Sequence, residues 1–346
     1  MKLDPELAQT IVERMMKEIP YNINIMDETG TIIASGESDR LGQHHFGADR
    51  ILQSHQTEVM DESFGENGQP GVNMPIVFKK QLVGVVGITG DPQAVKPLAS
   101  LLKTSTELLL EQQELERVRK AYDRRLEHFL FQWSETKSGI EDNFELRSAA
   151  DRLGISLLKP RRAIVLACSK AALPRISLDS DDYYLNYSHG LQLFIVNSCR
   201  TKEKLTAWAK EKRIPLGIGS ALTNIGQSFK EARQVLSFQQ LIPEFGFSCY
   251  DDVQFDLNLL AMKNSEQDIR IMKQLAGMAE QDEMAATLLI YLKNNGHVSQ
   301  AADELHIHRN TLKYRLKRFK ELTGLDPENS RQLFRIYAIL LKLRQE

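Results

Sequence analysis

Short apolar runs separated by turn residues fill most of the first ninety positions. YNINIMD and TIIAS flank Glu28-Thr29-Gly30, while VNMPIVF and LVGVVGITG flank Lys79-Lys80-Gln81, which predicts two antiparallel hairpins. Ahead of them DPELAQTIVERMMKEI takes the helical period, with Asp4 placed to cap it and Pro5 at its first position. A helix-and-loop segment separates the hairpins, and a long helix is predicted from about Asp91. The order αββαββα predicts a small sheet with helices packed on it, the build of a small-molecule sensor.

The long helix carries a second pattern. Every seventh residue from Leu101 gives Leu108, Leu115, Tyr122 and Phe129, whereas the companion positions are Ser105, Gln112, Arg119, Leu126 and Trp133. One apolar and one mostly polar seam predict a coiled-coil-like connector over residues 104–135, against the simpler reading of a helix packed on its own domain. Farther on, RAIVLAC, LQLFIVN and LGIGSA read as buried strands, and TKEKLTAWAKE and SFKEARQVLSFQQ as amphipathic helices. A spacer helix is expected near 256–281, and a last unit from about Met284.

In that last unit the pattern becomes specific. Ser299 is placed to cap a short helix through Leu305, His306-Ile307-His308 makes a turn, and a second helix begins near Arg309. Leu312, Leu316 and Phe319 share one stripe of it and must face a core with Ala302, Leu305 and Ile307. Asn310, Tyr314 and Lys317, with Lys313 beside them, then point outward. Two short helices joined this way form a helix-turn-helix. An outward face offering an amide, an aromatic ring and cations suits the major groove, where Asn reads adenine and Arg or Lys reads guanine. Arg309, Asn310, Thr311, Lys313, Tyr314, Arg315, Lys317 and Arg318 are the DNA-binding candidates, with Arg315, Arg318 and Lys320 expected at phosphates.

Charge sharpens this picture. The chain of 346 residues has a formal net charge of -2, yet residues 1–110 carry 9 Lys+Arg against 15 Asp+Glu, whereas residues 291–346 carry 11 against 6. A basic end on a near-neutral chain points to a polyanionic partner. Hydrophobic residues at 42% and charged residues at 26% suit a folded soluble protein of two or three domains. The opening MKLDPELAQT lacks the apolar stretch of a signal or membrane span, so a cytoplasmic location with no membrane partner is expected. Cys168, Cys199 and Cys249 have no metal or disulfide spacing and are expected as buried thiols. No GxSxG, P-loop, GxGxxG or HExxH motif occurs, so no catalytic residue, metal or cofactor is assigned and an enzyme is not expected.

GHVSQAADELHIHRNTLKYRLKRFKELTGLD resembles the C-terminal helix-turn-helix of the purine-catabolism and sugar-diacid regulators. Its Ala-Ala, His-Arg-Asn-Thr-Leu and Tyr-Arg-Leu pattern precedes Leu-Thr-Gly as it does there, although His306 stands where many such turns have glycine. At the other end, NINIMDETGTIIASGESDRLGQHHFGA and GVNMPIVFKKQLVGVVGITG are similar to the sugar-diacid recognition domain of the carbohydrate diacid regulators. The matching positions include Asp27, Gly30, Arg40, Gly42, His45, Ala48, Gly71, Asn73, Gly84, Gly87 and Thr89.

This resemblance implies an effector domain for small hydroxylated carboxylic acids, leaving glucarate, galactarate, glycerate and glycolate open. The residues agree: an acidic domain that binds an acid needs local donors, which Arg40, His44 and His45 supply in one loop. Gly42 and Gly71 permit close backbone approach. Amides near Val72, Asn73 and Met74 are candidates for carboxylate oxygens, and Asn73 or Thr89 for hydroxyls.

Residues 142–250 resemble the degenerate GGDEF-like domain of the same regulators. The hairpin YLNYSHGLQLF lacks the acids of a working cyclase, so a dimerising or relaying scaffold is expected, with a nucleotide-binding or cyclase-like enzyme as the alternative. The expected architecture is multidomain α+β: a PAS/Cache-like sensor (1–110), the connector (104–135), a degenerate GGDEF-like α/β domain (140–252) and an all-α helix-turn-helix domain (284–346). The expected function is an effector-responsive regulator, an activator of acid catabolism, acting on double-stranded operator DNA as a homodimer or higher even oligomer.

Overall fold

The computed structural model describes residues 3–61, 69–137, 143–242, 249–277 and 281–345. The chain divides into two compact units, Met1–Asp123 and Arg124–Glu346. In the first, the Asp4 carboxylate accepts from the Glu6 amide at 3.0 Å and starts α1 (Pro5–Met15). Both hairpins form, β1 (Ile23–Met26) with β2 (Ile32–Ser35) and β4 (Gly71–Phe78) with β5 (Gln81–Thr89). Between them stand a 3-10 turn at Ser38–Arg40, α2 (Phe46–Ser54) and β3 (Glu58–Met60), a three-residue edge strand that the sequence pattern did not predict. The antiparallel sheet runs β2-β1-β5-β4-β3.

Strand alternation divides the core. Ile23, Ile25, Val72, Met74, Ile76, Val86 and Ile88 meet α1 and the start of α3 (Pro92–Glu135). Met26, Ile32 and Val85 face the other way, onto Ala48 and Ile51 of α2. The second hairpin turns in two residues, not three: Phe78 pairs with Gln81, and Lys79 and Lys80 take φ of 50° and 65°. Two left-handed residues match the twist of the flanking strands, which is what such a short turn needs.

The connector helix departs from expectation at its far end. Leu101, Leu108, Leu115 and Tyr122 are all exposed, but Phe129 and Trp133, expected to continue the seams, are 2% and 1% exposed. They belong to a core of the second unit with Leu146, Ile225, Phe229 and Ala232. The far end of the helix is thus packed on its own chain, while the apolar seam from Leu101 to Tyr122 is left exposed.

The second unit begins with α4 (Phe144–Leu153), β6 (Arg162–Leu166), β7 (Tyr183–Ser188), β8 (Leu191–Val196), α5 (Cys199–Lys212), β9 (Leu216–Ile218) and α6 (Ile225–Leu241). Its antiparallel sheet runs β7-β8-β6-β9. The end of α3, α4 and α6 cover one face, and α5 covers the other through Leu205 and Ala209. A Cβ on Gly217 would stand 1.9 Å from the Ala232 carbonyl, so only glycine lets α6 lie this close to β9.

Six helices follow: α7 (Tyr250–Ala261), α8 (Glu266–Ala276), α9 (Gln281–Lys293), α10 (Val298–Glu304), α11 (Arg309–Thr323) and α12 (Ser330–Leu343). The single spacer helix expected near 256–281 is two helices, because Ser265 and Asp268 form a capping box that restarts the chain after Met262. The thiols of Cys168 and Cys249 are half-buried, while Cys199 is exposed at the start of α5, correcting the expectation that all three are core. Among the described residues no helix is long and apolar enough to cross a membrane.

Candidate nucleic-acid interface and effector site

The helix-turn-helix is built from local rules. Asn295 and Gly296 take φ of 53° and 77° after α9, and α10 starts directly behind them at Val298, so Ser299 lies inside the first turn and is not its cap. At the other end of α10 His306 takes φ 53°; its amide donates to the Asp303 carbonyl at 3.1 Å, and the Ile307 amide to that of Ala302 at 3.0 Å. This is a Schellman closure with histidine in place of glycine, and Ile307 packs on the core beside it. His308 then caps α11, its Nδ1 accepting from the Asn310 amide at 3.2 Å.

Leu312, Leu316 and Phe319 are buried with Ala301 and Ala302. That fixes the rotation of α11. Arg309, Asn310, Thr311, Lys313, Tyr314 and Lys317 are exposed, Tyr314 at 63%. Lys317 stands 3.8 Å from Glu321, a loose surface pair. Arg315 is different: half-buried, it bonds Glu283 and donates to Thr287 Oγ1 at 3.0 Å, so it ties α11 to α9 and is not aimed at a phosphate. Lys320 likewise pairs with Asp326, whose carboxylate the ammonium holds below its usual range. Arg318 is half-buried. Lys293 and Asn294 both bond Glu304, at 2.6 and 2.8 Å, fastening α10 to the end of α9.

In the first unit, the predicted effector residues are sorted by the strands and by α2. The Arg40 guanidinium lies close enough to His45 to disfavour its protonation; burial is the larger cause, and together they hold the imidazole below its ordinary pKa. His45 Nδ1 is buried with no hydrogen-bond partner among the described residues. A Cβ on Gly47 would stand 3.0 Å from both Asn73 Nδ2 and the His45 ring, so these groups share one corner. Asn73 is 5% exposed, and among the described residues its Nδ2 reaches the Met60 sulfur, at 4.0 Å. His45 is also the N-cap of α2, whose first amides have no partner within the helix.

The corner therefore gathers His45, Gly47, Asn73 and a helix N-terminus, with the Arg40 charge acting on His45, a donor set suited to a carboxylate and a hydroxyl. Other predicted members fall away. His44 turns outward, its Nε2 2.9 Å from Asp49, and Gly42 is exposed in its turn with open space around it. Val72 and Met74 point into the core beneath α1 and α3. Their strand is paired on both sides near residues 71–73, by β3 and β5, so the amides proposed for a carboxylate serve the sheet instead. Gly71 lies opposite Thr89 at the end of the same ladder. Gly47 and the α2 N-terminus were missed from sequence; His45-Phe46-Gly47-Ala48 was visible, but not that a helix began there.

In the middle sheet the β7–β8 turn runs through Ser188, His189 and Gly190 without a carboxylate. Comparison with known proteins agrees with the two ends. The sugar diacid recognition family model matches residues 3–133, and that of the PucR C-terminal helix-turn-helix domain matches residues 284–341. The carbohydrate diacid regulator of Escherichia coli is 27% identical, covering 98% of this chain and 97% of its own. An uncharacterised protein of Haemophilus influenzae is 29% identical over 94% and 95% of the two chains. The proline-responsive transcriptional activator PutR of Bacillus subtilis is 30% identical over 38% of this chain and 35% of its own. The chain thus carries a sugar-diacid recognition domain at one end and a PucR-type helix-turn-helix at the other, and over nearly its whole length it is similar to a carbohydrate diacid regulator, which supports reading it as a DNA-binding regulator.

Proposed function

We propose that this protein is an effector-responsive activator of the catabolism of a sugar diacid or small 2-hydroxy acid. α11 is the helix that enters the operator's major groove, reading bases through Asn310 and the neighbouring Arg309, Lys313 and Tyr314. The observation that carries this reading is the sorting of α11: its apolar stripe is buried while its first two turns leave an amide, an aromatic ring and cations exposed. The acid sits at the Arg40–His45–Asn73 corner, with the guanidinium on a carboxylate and the Asn73 amide on a hydroxyl. The sheet passes its presence on through α3, a continuous helix from Pro92 to Glu135. The residues that follow, with their antiparallel sheet, serve as a relaying scaffold of degenerate GGDEF-like type, and the sensor is of PAS/Cache-like type.

A mobility-shift titration of the full chain on its promoter fragment, with and without candidate acids, tests this reading. Expected are a preference for the promoter over scrambled duplex and an affinity or footprint that changes with one acid, the change being lost in Arg40→Ala. Equal binding to both duplexes, or an unchanged response in Arg40→Ala, overturns it.

A further inference from the structure

Four residues spaced seven apart stand out on α3. Leu101, Leu108, Leu115 and Tyr122 are 64%, 60%, 71% and 42% exposed, and Val118 beside them is 52% exposed. On the opposite side of the same helix Val95, Ala99, Leu102 and Leu110 are buried against the sheet. Isolated exposed leucines are common on monomers. A row of four, running about 30 Å along one helix face, is not. Each side chain offers on the order of 100 Å² of apolar surface. Five of them on each of two chains would cover about 1,000 Å², the size at which a specific protein interface begins.

We propose that this stripe is a homodimer seam, covered by the same stripe of a second copy in parallel orientation. The spacing argues for a self-matching partner. A strict seven-residue repeat keeps facing a neighbour only if that neighbour is a helix with the same repeat, and the pair supercoils to hold the seams together. In parallel register each of the four layers meets its own counterpart, Leu101 on Leu101 through Tyr122 on Tyr122. The companion positions Ser105, Gln112 and Arg119 add no second apolar layer, so the seam is thinner than a leucine zipper. It ends where Phe129 turns into the core of its own chain. This inference does not depend on the effector or on DNA.

The experiment is sedimentation velocity on the full chain at micromolar concentration. The parent is expected to be a dimer, and Leu108→Glu with Leu115→Glu a monomer with unchanged circular dichroism, because both side chains already face water. A second variant guards against misfolding: Leu115→Cys, in a chain whose Cys168, Cys199 and Cys249 are serine, is expected to cross-link to itself on mild oxidation. A monomeric parent, a double-Glu variant that stays dimeric, or a Leu115→Cys chain that does not cross-link overturns the proposal; cross-linking only between Leu108→Cys and Leu115→Cys chains would mean an antiparallel pair and overturn it equally.

Discussion

Asn310 and Arg315 lie five residues apart on one helix, and their surroundings give them opposite roles. Asn310 is exposed at the start of α11, so Asn310→Ala should leave the melting temperature unchanged and weaken operator binding by about 1–3 kcal/mol, with relaxed preference at one base pair; a mobility-shift comparison on operators mutated position by position checks both. Arg315 holds Glu283 and Thr287, and counting cations in the sequence could not separate it from its neighbours, because its partners lie about thirty residues upstream. His45 illustrates the same limit at the sensor. Its loop was legible as a donor cluster, but the burial that leaves its Nδ1 without a partner among the described residues and lowers its pKa comes from the packing of α2 and β4. Because the folded pKa lies below the unfolded value near 6.5, the neutral ring contributes stability above that value, lost as pH falls from it toward the folded pKa. An acid bound at the same corner raises the pKa again, so binding takes up a proton and affinity rises as pH falls between the bound and free values, by at most about tenfold per pH unit. Calorimetry at pH 6, 7 and 8 should show this rise in the parent and none in His45→Gln.

At the scale of elements, periodicity located most strands and helices, and the failures have physical reasons. β3 was missed because three residues at a sheet edge are too short to alternate, and the two-residue turn at Lys79-Lys80 because neither lysine signals a left-handed backbone. That turn yields a prediction. Lys80 takes φ 65° with its side chain exposed, whereas Lys79 bonds Glu114 at 3.0 Å. Lys80→Gly removes the left-handed penalty without touching that ion pair and should raise stability by up to about 1 kcal/mol, a part of the gain being offset by the looser unfolded chain. Thermal unfolding of the parent and the variant measures the difference, and a fall in melting temperature would mean that the lysine has a packing role. The close approach at Gly217 had no sequence signal at all, since LGIGSA reads equally well as a strand with or without a helix pressed on it.

For the whole molecule the governing quantity is the uneven distribution of charge. A protein of net charge -2 that binds a polyanion must do so locally, and the sequence made this legible: residues 1–110 sum to -6 and residues 291–346 to +5. At physiological salt the screening length is about 8 Å, so only cations near the duplex contribute and the acidic sensor's charge is largely hidden. The structure narrows those cations, because Arg315 and Lys320 are held by Glu283 and Asp326, while Arg309, Lys313 and Lys317 are exposed. Binding should therefore weaken linearly on a plot of log affinity against log salt, with a slope set by the exposed cations and not by the net charge. Lys317→Ala is expected to reduce that slope by about 1 per helix-turn-helix and to weaken all duplexes alike. Arg315→Ala should leave the slope unchanged and lower the melting temperature instead, by leaving Glu283 without its partner. Fluorescence anisotropy from 50 to 300 mM salt on specific and scrambled duplexes separates the two. Were Arg315→Ala to flatten the slope as Lys317→Ala does, its bond to Glu283 would have to open on DNA, and the basic face of α11 would be wider than the unbound protein presents.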